Sequence, residues 1–215
     1  MLSTRIHRGG HVQKVRTNPR KLPKQRRSGE TVEIILVATA RILVSGGYDH
    51  ASTNRIALAA GVSIGSLYQY FPNKEALVAA LCERHVGEML AICEGKLVEL
   101  ATAPLHVAAR EIVRALLRAH AVDPKLHKVL IEQVPRVGKL CAINDVGSRM
   151  TSVVQAYLES RRAELRPTSL EVAAFILVRA VEAVSHATVI ERPEYLVDGE
   201  LADELAELVL RYVRK

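Results

Sequence analysis

The sequence predicts an all-α protein, with a helix-turn-helix head towards the N-terminus and a larger helical bundle behind it. Three observations predict this. Apolar residues recur at three- and four-residue spacing through most of the chain, and no stretch alternates convincingly with period two. Aromatic residues make up only 4 % of a composition led by Ala, Leu, Val, Glu and Arg, which favours helices over strands. Residues 52–74, STNRIALAAGVSIGSLYQYFPNK, carry the punctuation of two short helices joined by a tight turn. At 215 residues the chain is long enough to bury a sizeable core.

Residues 1–28 hold Gly9-Gly10, Pro19, Pro23 and Ser28-Gly29 without apolar periodicity, and are expected to form a disordered basic arm. Nine Lys and Arg fall in residues 1–30 against Glu30 alone, a net +8, while the remaining 21 basic and 22 acidic residues nearly cancel. A basic arm beside a helix-turn-helix is the electrostatic footprint of nucleic-acid binding. The first helix is expected from about residues 29–31 to Ser45, with Val32, Ile35, Leu36, Thr39, Ala40 and Leu43 as its inner stripe. Gly46-Gly47 ends it and Tyr48 packs back.

Ser52 and Thr53 are N-cap residues for the next helix, since a side-chain hydroxyl satisfies a free backbone N–H of the first turn. Gly61 ends that helix in the left-handed conformation. Ser63 caps a third helix reaching about Phe71, with Leu67 and Phe71 turned inward, and Pro72 stops it. Asn73 opens a fourth helix to about Leu100, whose inner side holds Leu77, Leu81, Met89, Ile92 and Leu97. Pro104, Asp123-Pro124, Pro135, Pro167 and Arg192-Pro193 then separate helices expected over 105–121, 125–134, 140–165, about 169–190 and 198–212. The expected organisation is an arm at 1–28, a helix-turn-helix DNA-binding head at 29–75 and a helical domain at 76–215.

No uninterrupted apolar run reaches the ~18 residues of a membrane span, Arg41 and Arg179 breaking the two candidates. The basic N-terminus lacks the apolar segment of a secretory signal. Cys82, Cys93 and Cys141 are odd in number and lack CxxC spacing, which fits free thiols in a reducing cytoplasm. The expectation is a cytoplasmic protein with no membrane partner.

The third helix carries no charged side chain. Ser63, Ser66 and Gln69 offer base-edge contacts, Gln being able to pair bidentately with adenine, and Ile64 suits a thymine methyl. Gly65 lets the backbone approach a groove closely. Asn54 and Arg55, in the first turn of the preceding helix, reach backbone or base. Gly61-Val62-Ser63-Ile64-Gly65 also satisfies GxSxG, the serine-hydrolase elbow, but that elbow follows a buried strand. Here a helix of small residues precedes it, so Ser63 reads as a cap and the chain as no enzyme. His120 and His127 are seven apart with Asp123-Pro124 between them, and no second pair has ligand spacing. The sequence therefore calls for neither metal nor cofactor.

Ile56-Ala57, Ala60-Gly61-Val62-Ser63, Gly65, Leu67-Tyr68-Gln69-Tyr70-Phe71 and Asn73-Lys74-Glu75-Ala76-Leu77 together resemble the TetR family of bacterial transcriptional regulators. The likeness covers roughly residues 30–80, and Gly46 to Tyr48 and Ser52 also fall where that family places them. It implies contacts to an operator duplex from Tyr68, Tyr70 and Lys74, mainly to phosphates. It further implies a homodimer through the last two long helices, where Phe175, Ile176, Val178, Val181, Val184, Ala187, Leu205 and Leu208 offer surplus apolar surface. The expected function is a repressor released from a palindromic operator by a small apolar effector. A pocket for that effector is expected among Leu81, His85, Met89, Leu116, His120, Leu130, Val134, Val137, Met150, Val154, Tyr157 and Phe175. An activator, a ligand-independent regulator or an architectural DNA-binding protein would use the same head.

Overall fold

A computed structural model describes residues 26–133, 141–196 and 199–215. Among these residues it is all-α, with nine α-helices: α1 Arg26–His50, α2 Thr53–Ala60, α3 Ile64–Tyr70, α4 Lys74–Glu99, α5 Leu105–Val122, α6 Pro124–Gln133, α7 Cys141–Ser160, α8 Leu170–Glu191 and α9 Glu200–Val213. The basic arm expected at 1–28 lies almost wholly outside the described residues.

The caps form where local chemistry predicts them. Ser52 accepts from the Arg55 N–H, Ser63 from the Ser66 N–H and Asn73 from the Ala76 N–H, so each opening turn has a satisfied donor. Gly61 closes α2 at φ 66°, ψ 27°, a conformation that costs a side-chain-bearing residue about 1–2 kcal/mol. The first helix breaks at Gly47, whose φ 72°, ψ −179° is non-helical, as the Gly46-Gly47 pair predicts, and a short further helical stretch leads on to His50. Only glycine occupies that region freely, so the kink is fixed by sequence. The seventh helix ends at Ser160, earlier than expected. A 3-10 turn, Arg162–Glu164, then inserts Leu165 into the core, where it bridges Arg214 at the C-terminus.

Three buried clusters hold the helices together. The head cluster joins Ile35, Leu36 and Leu43 of α1, Ile56 of α2, Leu67 of α3, Phe71 just after it, Leu77 and Leu81 of α4, and Leu126 and Leu130 of α6. A second cluster joins α5, α7, α8 and α9 around Leu105, Leu158, Leu165, Leu177 and Val213. A third pairs Val113 and Leu117 of α5 with Leu205 and Ala206 of α9. On α7, Gly147 leaves the space that the Arg179 guanidinium of α8 occupies.

Two helical stretches, 28–50 and α8, do reach the length and mean hydropathy of a membrane span, beyond what uninterrupted runs suggested. Each places one face in a buried cluster, as core helices do. Ile92, expected inward, is exposed, while Leu90 and Cys93 take the inner side of α4.

Phe71 is 1 % exposed at the end of α3. Phe71→Ala is expected to destabilise the protein by about 3–5 kcal/mol through lost burial and an unfilled cavity, read as a lowered urea midpoint. An unchanged midpoint would mean that the head is not anchored through this ring.

Candidate nucleic-acid interface and interior cavity

The turn between α2 and α3 leaves one continuous polar face. Ser52, Asn54, Arg55, Ser63, Ile64, Gly65, Tyr68 and Gln69 are exposed on it, and Thr53, Ser66, Tyr70 and Lys74 are half-buried at its edge. The Thr53 and Tyr68 hydroxyls lie 3.1 Å apart and tie the two helices together across the face. The Ser63 hydroxyl donates to Ser66 Oγ at 3.0 Å while accepting from the Ser66 N–H, also at 3.0 Å. Ser63 therefore acts as a cap between two helices, which is not the setting of a strand-to-helix elbow. A Cβ added at Gly65 would meet only Ser63 Oγ, at 3.8 Å. Among the described residues nothing demands glycine there, so its smallness faces outward.

The corner behind this face is held by Tyr48 and Lys74. Lys74 Nζ donates to the Tyr48 carbonyl at 3.0 Å and sits 3.9 Å from the centre of the Tyr48 ring. The Tyr48 hydroxyl donates to Glu75 Oε1 at 3.1 Å. Burial first, then the Glu75 carboxylate, push the Tyr48 phenol up, so it remains a neutral donor. Arg55 Nη1 donates to the His50 carbonyl at 3.1 Å, which orients its guanidinium beside the face.

Behind the head, α4, α5, α6, α7, α8 and α9 enclose an apolar cavity of about 380 Å³. Eight of the residues expected to line it do so: His85, Met89, Leu116, His120, Leu130, Met150, Val154 and Tyr157. Two do not. Leu81 is wholly buried in the head cluster, and its neighbour Cys82 faces the cavity. Phe175 is 54 % exposed beside the Arg179 guanidinium and does not line the cavity, which Leu177 and Val178 of the same helix do. Val134 and Val137 lie outside the described residues. Of the helix residues expected on the outer apolar surface, Phe175, Ile176, Ala187 and Leu208 are exposed, whereas Val178 and Leu205 are buried inward.

At one end of this apolar space four imidazoles meet. His85 Nε2 and His127 Nδ1 are 2.6 Å apart, and His120 Nδ1 lies 2.7 Å from the Leu116 carbonyl. The ring of His127 is 4.5 Å from that of His120 and 5.1 Å from that of His186. Sequence spacing missed this group, because Asp123-Pro124 reads as a separator. In the fold that break turns the chain so that His127, in the first turn of α6, meets His120, in the last turn of α5. All four imidazoles are pushed down by burial. The effect is largest at His127, lowered to about 2 by burial and then by His120, His85 and His186. All four are thus held neutral. Among the described residues, two buried polar atoms of the cavity wall, His127 Nε2 and Ser185 Oγ, have no hydrogen-bond partner.

Comparison with known proteins assigns both parts of the chain. The family described as "Bacterial regulatory proteins, tetR family" matches residues 35–81, and "Tetracyclin repressor-like, C-terminal domain" matches residues 104–212. A fatty acid metabolism regulator protein of Bacillus subtilis is 33 % identical over 69 residues, 32 % of this chain and 36 % of that protein. The chain thus aligns with about a third of that relative's length. Among solved structures, a TetR-family transcriptional regulator of Mesorhizobium loti superposes with TM-score 0.74 at 21 % identity, over 89 % of this chain and all of that one. FadR of Bacillus subtilis in complex with stearoyl-CoA superposes with TM-score 0.67 at 19 % identity, over 82 % and 96 %. Both structures share the fold.

Burial also pushes the cavity-lining thiols up, Cys82 to about 12 and Cys93 to about 11. For Cys82, against 9.0 for an unperturbed thiol, this cuts the reactive thiolate by about a thousandfold. Labelling by a water-soluble thiol reagent, followed by peptide mapping, is expected to be slow at both sites in native protein and fast in urea. Equal rates in the two conditions would mean that the cavity wall is open to solvent.

Proposed function

The chain belongs to the TetR family of bacterial regulators and is a DNA-binding transcriptional regulator, and we propose that it is a homodimeric repressor released from a palindromic operator by a small ligand with an apolar body. One observation carries this reading. Leu130 and Cys82 each belong both to the buried cluster that seats the reading helix and to the wall of the cavity. An occupant that moves α4 or α6 therefore moves the support of α1, α2 and α3. A ligand fitting only one head arrangement shifts the population towards it by its difference in affinity.

The interface residues take distinct roles in this reading. Ser63, Ser66 and Gln69 read base edges and Ile64 meets a thymine methyl, while Gly65 lets the backbone come close. Ser52, Thr53, Asn54, Arg55, Tyr68, Tyr70 and Lys74 set register on phosphates, aided by the basic arm at 1–28. The domain division at 29–75 and 76–215 follows the division of labour between reading and sensing. Val172, Phe175 and Ile176 of α8, with Leu208 of α9, are exposed apolar side chains suited to a twofold partner. A cytoplasmic location accords with an operator partner. The relative bound to stearoyl-CoA lends support to a long apolar effector.

Fluorescence anisotropy on duplexes tiling the upstream intergenic DNA tests the reading. One palindromic tile is expected to bind tightly in the presence of competitor DNA, and a footprint over the promoter would mark a repressor. Equal, salt-dependent binding to every tile would leave only non-specific attraction. Ser66→Ala and Gln69→Ala are expected to cost about 1–3 kcal/mol at the preferred base pairs and relax sequence choice. Deleting residues 1–27 is expected instead to weaken all sequences alike and flatten the salt slope. Deletion with an unchanged slope would make the arm a bystander.

Val154→Trp, which fills the cavity, is expected to abolish the response to effector while sparing operator binding. A full response in that variant would sink the assignment of this cavity as the effector site.

A further inference from the structure

The histidine end of the cavity carries more than an apolar effector needs. One ligand atom each from His120, His127 and His186 lie within 4.8 Å of one another. Some point is therefore no more than about 2.8 Å from all three. Each imidazole has to move by at most about 0.7 Å to make a zinc–imidazole bond of ~2.0–2.1 Å. The three residues come from α5, α6 and α8, so the triangle is a product of the tertiary fold.

The outer hydrogen bonds prepare the ring nitrogens for this. A carbonyl only accepts, so His120 Nδ1 carries the proton given to the Leu116 carbonyl, and its Nε2 in the neutral ring is left with a free lone pair. His127 is bonded through Nδ1 to His85 Nε2, and its own Nε2 is buried without a partner. Metal-bound histidines show the same arrangement, one nitrogen held by an outer group and the other on the ion. An unpaired buried nitrogen is costly, and an ion satisfies it. Neutral imidazoles in an apolar setting select a borderline first-row cation over Mg²⁺ or Ca²⁺, which take oxygen ligands.

We propose that His120, His127 and His186 form a binding site for a divalent transition ion of the zinc class, with His85 as the positioning residue for His127. Three protein ligands leave a fourth position open, and all three residues line the cavity. That position takes water or a donor atom of the effector, a role that rests on the regulatory reading; the ion site itself does not. The ion also ties α6, which underlies the head, to α5 and α8.

The test uses untagged full-length protein stripped with a chelator and titrated with Co²⁺. The expected result is one ion per chain with the intense visible bands of a four-coordinate site, displaced by Zn²⁺. His120→Ala and His186→Ala are each expected to weaken binding by more than the about 10- to 100-fold expected of His85→Ala, as ligands outrank an outer-shell partner. The exposed His106→Ala serves as the control and is expected to bind as wild type. Circular dichroism of each metal-free variant establishes that it is folded. X-ray absorption of the wild-type zinc complex gives a readout that needs no variant and is expected to show imidazole scattering from three or four rings. Co²⁺ binding that is unchanged in the folded His120→Ala and His186→Ala variants, or a zinc complex without that scattering, would overturn the site. Operator binding by the stripped protein is measured in parallel. Protein that binds its operator but no Co²⁺ refutes the metal site alone, and protein that binds Co²⁺ but no DNA refutes the regulatory reading alone.

Discussion

Everything outward of the cavity depends on one buried cluster shared between the head and the bundle. The two helices of the reading motif have 8 and 7 residues. Helices that short do not persist in water on propensity alone. They stand because Ile56, Leu67 and Phe71 are buried against α1 and the first turns of α4, and α1 is in turn packed on α6. The position of the reading helix is therefore fixed by the bundle, and a rearrangement of α4 or α6 is transmitted by packing. Close-packed interiors pass on small shifts because they have little free volume to absorb them.

The backbone at the two glycine corners makes that transmission directional. Gly47 and Gly61 hold conformations that other residues adopt only at a cost. Beside the first, Lys74 lies over the Tyr48 ring and bonds its carbonyl, while Tyr48 bonds Glu75. The start of α4 is thus tied to the end of α1 by three contacts within two residues of each other. Arg84 adds an ion pair to Glu33 of α1 one helical stretch further on. The first half of α4 is thus held to the head, while Met89 and Cys93 further along it line the cavity.

How far the sequence could be read follows from how local each cause is. Ser52, Gly61, Ser63 and Asn73 act on backbone groups within a few residues, and each is found where its chemistry puts it. The cavity was legible only in part. A 3.6-residue period cannot tell whether Leu81 or Cys82 faces the cavity when the helix serves two cores, and α8 is apolar around most of its circumference, which left Phe175 ambiguous. The histidine cluster was not legible at all. Its members come from four helices, and a proline-containing break that looks like an interruption is the turn at which His120 and His127 meet.

Helix α8 is where these influences converge. Its inner side presents Ser185 and His186 to the cavity, and its outer side leaves Val172, Phe175 and Ile176 uncovered. Between the two sides, Glu182 of the cavity wall pairs with Arg179 at 2.6 Å. The Arg179 guanidinium lies 5.8 Å from the outer Phe175 ring and fills the space above Gly147 of α7. At more than a third exposed, that ion pair adds little to stability. Its weakness suits an adjustable link better than a structural clamp. The Arg179 guanidinium thus stands where the cavity wall, the outer Phe175 ring and α7 come together.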